Sequence, residues 1–205
     1  MKNFFKCTID GILAGIMIII GCSVFLSCEN KYVGAFFFSV ALIVICFKGF
    51  SLFTGRIGYL IDNHDKDSLT NLLAGLLGNT IATFLFGLLI GLALPNLKET
   101  AATICSNKLA LDFVQVLVRA IFCGILMYVA VSVYKEKNSI VGILFCIPVF
   151  ILSGFEHSIA DMGYFAIGGV ISLDAFIFIM IVILGNTIGG LLFPALKWLS
   201  KEIKK

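Results

Sequence analysis

Ser153-Gly154-Phe155-Glu156-His157-Ser158-Ile159-Ala160-Asp161-Met162-Gly163-Tyr164-Phe165 lies in the middle of a long apolar stretch. Residues 48–60 restate it as Lys48-Gly49-Phe50-Ser51-Leu52-Phe53-Thr54-Gly55-Arg56-Ile57-Gly58-Tyr59-Leu60. Both segments have Gly-Phe near the start and Gly-Tyr near the end. About thirty residues after each Gly-Phe comes a second matched pair, Gly78-Asn79-Thr80-Ile81 and Gly185-Asn186-Thr187-Ile188. Two matched signals at nearly equal spacing mark an internal repeat, with halves of residues ~1–105 and ~106–205. Each repeated segment is too long and too polar at its centre for a plain helix. Gly49, Gly154, Asn79, Asn186 and Glu156 are expected to be structural residues of these breaks.

The composition says what surrounds the repeat. Of 205 residues, 60% are hydrophobic and 13% charged, and the mean hydropathy is +1.09. A water-soluble domain carries roughly a quarter charged residues, so this chain has too little polar surface to face water. The net charge of +3 is too small to suggest a nucleic-acid partner. Seven cysteines make an odd number with no CxxC; Cys22, Cys46, Cys123 and Cys146 lie inside apolar runs and are expected to be small core residues.

A helix needs about 20 apolar residues to cross a bilayer. Six stretches qualify, roughly 8–27, 31–60, 69–94, 111–134, 139–169 and 171–196, separated by short polar breaks. The first follows Lys2 and Lys6 but has no small-x-small cleavage site and a poor lipoprotein box, so it is expected to be a retained helix. With both termini inside, the inner segments collect Lys2, Lys6, Arg56, Lys66, Lys135, Lys137, Lys197, Lys201, Lys204 and Lys205. The outer loops hold Lys31, Lys98 and Lys108. This bias predicts cytoplasmic termini for a multi-pass protein of a bacterial inner membrane. His64, in a charged loop, is expected to be solvated.

Three spans per half force the halves into opposite orientations. The predicted fold class is therefore an all-α integral membrane protein, six transmembrane helices in an inverted 3+3 repeat with helices two and five broken, forming a single channel domain. Irregular backbone at membrane depth is tolerated only where protein buries it or a cavity hydrates it. Half-helix ends there present N–H groups suited to an anion. Ionisable residues inside spans are costly and usually functional; Lys48, Arg119, Glu156 and His157 stand out. His157, in the break of span five, is expected to donate a hydrogen bond or proton to a passing anion. Glu156 is expected to pin the broken helix by accepting backbone N–H groups. Lys48 and Arg119 are expected to pair between helices. Gly11-x-x-x-Gly15 and Gly87-x-x-x-Gly91 are expected to be close-packing seams.

Ser153-Gly154-Phe155-Glu156-His157-Ser158-Ile159-Ala160 resembles the hallmark segment of the formate/nitrite transporter family, and Leu52-Phe53-Thr54 resembles its matching motif in span two. Residues Gly34-Ala35-Phe36-Phe37-Phe38-Ser39-Val40-Ala41-Leu42-Ile43 and Gly185-Asn186 also fit in order and spacing. The resemblance covers nearly the whole chain and implies an aquaporin-like fold in a homopentamer, with one pore per protomer. It further implies two apolar constrictions, one of Phe38, Leu42 and Phe150 and the other of Leu52 and Met127. Thr54 would face His157, and Lys108 would draw small monovalent anions into the outer vestibule. The chain departs from the family pattern at four positions. Ser51 stands where an acidic residue is common, Gly124 replaces an asparagine of span four, Asp161 replaces the asparagine after Ser-x-Ala, and Lys48 is an added charge.

The function so implied is a channel or transporter for small monovalent weak-acid anions (formate, nitrite or hydrosulfide), with a proton exchanged at the central histidine. An aquaporin-like channel for a neutral solute is the alternative, and would want paired Asn-Pro-Ala boxes, which this sequence lacks. A membrane-embedded enzyme would need clustered His or carboxylate ligands. No catalytic residue, metal or cofactor is expected.

Overall fold

The computed structural model describes residues 2–63 and 65–203. His64 and the terminal Lys204 and Lys205 lie outside the described residues. The regular elements among the described residues are all helices: α1 (Lys2–Ser27), α2 (Lys31–Lys48), α3 (Phe53–Arg56) running into a 3₁₀ turn (Ile57–Leu60), α4 (Lys66–Ala93), α5 (Pro95–Leu109), α6 (Phe113–Lys137), α7 (Val141–Leu152), α8 (Ser158–Gly168) and α9 (Leu173–Glu202). Local chemistry sets the helix ends. Asn30 and Asp65 cap α2 and α4 with side-chain oxygens, and Asp112 with Gln115 forms a capping box on α6.

Among the described residues, α1, α2, α4, α6 and α9 are each long and apolar enough to cross a membrane. The sixth span is α7 with α8. The 12 residues of α7 rise only ~18 Å, too short alone, and the 11 of α8 complete the crossing. Large apolar side chains such as Leu73, Leu77, Leu85 and Leu89 of α4 lie on the exterior, where lipid rather than water suits them.

The halves repeat each other's packing. Helix α1 packs on α4 and α2 as α6 packs on α9 and α7, and α2 meets α7 between the halves. Each short helix after a break then crosses to the other half: α8 lies on α4 and α1, and α3 with its 3₁₀ turn lies on α9 and α6. Small residues let the backbones approach. A Cβ at Gly11 would collide with the Gly75 carbonyl, and one at Gly91 with that of Ile167, so both small-residue seams are close contacts.

Helix α5 falls in the stretch between spans three and four, where no element was predicted. Its polar side chains, among them Asn96, Lys98, Glu99 and Asn107, hide it from a search for apolar runs. Pro95 opens it at a position that needs no N–H, and Leu97, Ala101 and Cys105, spaced one turn apart, are buried. The helix docks on α8, where Gly168 lies against the α5 backbone at Ala102.

Candidate functional site

The two breaks are built alike. Helix α2 ends at Gly49 and α7 at Ser153-Gly154, with Gly49 and Gly154 left-handed at φ 70° and 69°, a region open to glycine at little cost. Beyond each turn the chain runs extended through one residue, Leu52 or His157, before the next helix begins.

One asparagine grips each extended turn. The Asn79 carbonyl oxygen accepts the Phe53 N–H at 3.0 Å, while its amide donates to the carbonyls of Ser51 at 2.9 Å and Gly11 at 2.8 Å. Asn186 repeats the pattern, accepting from the Ser158 N–H at 2.9 Å and donating to the carbonyls of Glu156 and Ala120, both at 2.8 Å. Both side chains are fully buried. Each satisfies backbone groups that the break frees and ties them to the first helix of its half.

His157 ends its turn with both ring nitrogens engaged. Nδ1 accepts the Ala160 N–H at 3.1 Å and so caps α8, while Nε2 lies 2.8 Å from the Thr54 hydroxyl. A backbone N–H only donates, so Nδ1 is the acceptor and the ring proton of neutral histidine sits on Nε2, which donates to Thr54 Oγ1. Thr54, at the start of α3, and His157, at the start of α8, thus join the two breaks at the centre. The His157 ring stacks on Phe150 at 5.7 Å between centroids, and Phe150 meets Phe38 edge-on at 6.4 Å.

Two cavities approach this centre. One, of about 390 Å³, is lined by His157, Phe38, Phe150, Lys108, Asp161 and Tyr164 among others. The other, of about 310 Å³, is lined by Leu42, Leu52, Arg56, Tyr59, Lys135 and their neighbours. Phe38, Leu42, Leu52, Phe150 and Met127 are all buried. The structure groups them differently from the resemblance. Phe38 and Phe150 belong to the Lys108 side, while Leu42, one turn along α2 from Phe38, lines the opposite cavity with Leu52. Met127 is buried without lining either.

The ionisable residues also differ from expectation. Among the described residues no backbone N–H reaches the Glu156 carboxylate; Oε2 pairs with the Lys108 ammonium, and Oε1 lies 4.0 Å from Arg119 Nη1. It is the Glu156 main-chain carbonyl, through Asn186, that fixes the turn. Lys108 also meets Asp161 Oδ1 at 2.9 Å. Lys48 is exposed at the end of α2. Gly124 faces α9, and a Cβ there would strike the Asn186 carbonyl, so this position is a helix contact rather than a cavity wall. At the other cavity Arg56 donates to the carbonyls of Gly49 at 2.9 Å and Phe50 at 3.4 Å, and Lys135 lies 3.5 Å above the Tyr59 ring. Among the described residues no three His, Cys, Asp or Glu side chains gather as a metal site would need.

Comparison with known proteins bears on this geometry. A family model described as Formate/nitrite transporter matches residues 1–199. Over 199 residues the chain is 31% identical to the uncharacterized transporter YrhG of Bacillus subtilis (strain 168), covering 86% of this chain and 73% of that protein. It is 27% identical to a probable formate transporter of Methanothermobacter thermautotrophicus, over 77% of this chain and 70% of that one. Among solved structures it is similar to a pentameric formate channel with formate bound, with a TM-score of 0.76 at 22% identity and 98% of each chain covered. It is also similar to an FNT family ion channel, with a TM-score of 0.78 at 20% identity, covering 98% of this chain and 90% of that one.

Proposed function

The chain belongs to the formate/nitrite transporter family, and on that premise we propose that it carries small monovalent weak-acid anions, formate, nitrite or hydrosulfide, along a path joining the two cavities past His157. The observation that carries this reading is the buried Thr54–His157 hydrogen bond, set between a cavity lined by His157 and one lined by Leu52. Apolar walls on both sides make entry of a hydrated charge expensive. Phe38 and Phe150 act as the constriction on one side, Leu42 and Leu52 on the other, with Met127 packed behind them. An anion that sheds water there needs a donor, and Nε2–H of His157, now shared with Thr54, is the group to supply it. Lys108 draws the anion toward this point. Gly49, Gly154, Asn79, Asn186 and the Glu156 backbone hold the turns in place.

Proton exchange at His157 carries a condition. Neutral His157 already has its proton on Nε2, so a second can add only at Nδ1, where the Ala160 N–H points. Charging the imidazole therefore requires the cap on α8 to open.

In this reading the chain is a single channel domain, its halves meeting within α5 near residues 105 and 106, and five copies assemble with one path in each. Both termini face the cytoplasm of a bacterial cell, from the inner membrane. The test is uptake of a panel of labelled anions into proteoliposomes, beside a neutral solute such as glycerol. Formate, nitrite or hydrosulfide entering faster than in protein-free liposomes supports the reading. Entry of the neutral solute alone would replace it with the aquaporin-like one.

A further inference from the structure

Lys108 is not a lone cation at the mouth of the cavity. Its ammonium sits between the Glu156 and Asp161 carboxylates, and the side chains of those two acids are only 3% and 2% exposed. One ammonium is thus shared between two carboxylates, beside the proposed anion path. Two other cations stand near: Lys31, which lines the same cavity and lies 4.8 Å from the centroid of the Phe25 ring, and Arg119. Arg119 is 40% exposed and reaches Glu156, not Asp161. The other titratable groups near Asp161 are the thiols of Cys22 from α1, Cys105 from α5 and Cys123 from α6, the Tyr164 phenol on its own helix, and His157, which is occupied with Ala160 and Thr54. Helix α4 also packs on α8 but carries no charged residue beyond Asp67.

The two carboxylates are not equivalent. Both Glu156 oxygens face cations, Oε2 toward Lys108 and Oε1 toward Arg119. Asp161 has one oxygen on Lys108, while Oδ2 is buried with no hydrogen-bond partner. A buried carboxylate oxygen without a donor is a costly arrangement, and two carboxylates sharing one site are relieved when one takes a proton. Asp161 also lines the cavity it shares with His157 and Lys108.

We propose that Asp161 is the proton-holding group of the anion path: its Oδ2 carries a proton, and the Lys108 cavity admits an anion only while that proton is in place. Protonation adds one proton from water in the cavity and turns the carboxylate into a neutral acid, leaving Lys108 balanced by Glu156. Loss of the proton returns a negative charge to the cavity wall at Asp161 and shuts the cavity to anions. Asp161 thereby makes entry dependent on pH without asking His157 to change its charge. This proposal rests on the transport reading above, and its test separates the two.

The experiment pairs infrared spectroscopy of the purified protein with formate influx into proteoliposomes, each from acid to mildly alkaline pH. The formate anion concentration is held constant. A carboxylic C=O band at neutral pH that shifts on labelling aspartate with carboxyl ¹³C, and that Asp161→Asn abolishes, supports the proposal. So does influx that falls severalfold as pH rises in the native protein but stays level in Asp161→Asn, which keeps the Lys108–Glu156 pair. A native protein with no such band, or with a band unmoved by labelled aspartate, overturns the proposal whatever the flux. So does an Asp161→Asn protein whose influx keeps the native pH profile. A band assigned to Asp161 in a protein that carries no formate, nitrite or hydrosulfide would support the proton assignment and overturn the transport reading instead.

Discussion

Leu52 and His157 hold equivalent positions in the two breaks. Each is the extended residue, at φ −92°, ψ 123° and φ −113°, ψ 109°, between a carbonyl and an N–H that one asparagine grips. The repeat therefore matches an apolar side chain with a hydrogen-bonding one at the centre of the molecule. The backbone is symmetric there, and the chemistry comes from one half.

The asparagine grip is expected to matter more to stability than any apolar residue nearby. Asn186→Ala removes three buried hydrogen bonds and orphans two carbonyls and an N–H, a loss of about 3–5 kcal/mol at ~1 kcal/mol or more for each group. Asn186→Asp should fare little better, since a carboxylate cannot donate to the Ala120 and Glu156 carbonyls. Thermal unfolding in detergent checks both, and a melting temperature equal to the native one in either variant would contradict the assigned role.

Thr54 is expected to act through its oxygen. Thr54→Val keeps the shape but leaves Nε2–H of His157 without its acceptor, and should lower formate influx about tenfold, the effect of ~1.4 kcal/mol on a barrier. Thr54→Ser should retain most of it. A valine variant as fast as the native protein would show that the hydroxyl plays no part in passage.

The two constrictions should fail separately. Leu42→Ala opens the side that Leu52 lines, and Phe150→Ala the side next to His157. Each alone should leave exclusion of a larger anion such as lactate largely intact, because the other constriction remains, whereas the double variant should admit it. Lactate entry through Leu42→Ala alone, at the rate of the double variant, would mean a single barrier.

Gly124→Asn, which puts in the asparagine that the family resemblance implies for this position, should harm the fold rather than retune the path. Its Cβ would collide with the Asn186 carbonyl between α6 and α9, and such overpacking costs about 1–3 kcal/mol or more. Reduced yield and a lowered melting temperature are expected. A stable variant with altered anion preference would place residue 124 on the path after all.

Much of the fold was legible because the repeat is written twice. Gly-Phe, the later Gly-Tyr and the distant Gly-Asn recur at nearly the same intervals; the first glycine makes each left-handed turn and the asparagine grips it. His157 could be singled out because an ionisable residue in a helix break is rare in an apolar chain, and Thr54 because the family resemblance implies a threonine facing that histidine. Three things were not legible. Helix α5 has a narrow buried stripe under a polar surface, so no run of apolar residues announces it. The Lys108–Asp161 pair joins residues far apart in sequence, and nothing local couples them. Leu42 and Phe38 are one turn apart on α2, and sequence spacing alone could not say that this turn separates the two cavities.

Among the described residues the helix that joins the halves has no counterpart elsewhere in the repeat, and through it the two ends of the proposed path differ. One end presents Lys108, from α5, between two acids; the other presents Arg56 and Lys135, with no acidic side chain among the described residues that line it. A passage with unlike charge at its mouths does not treat the two directions alike. In a planar bilayer with equal formate on both sides, reversing the voltage should give currents of unequal size, the protein behaving as a rectifier whose sense is set by α5.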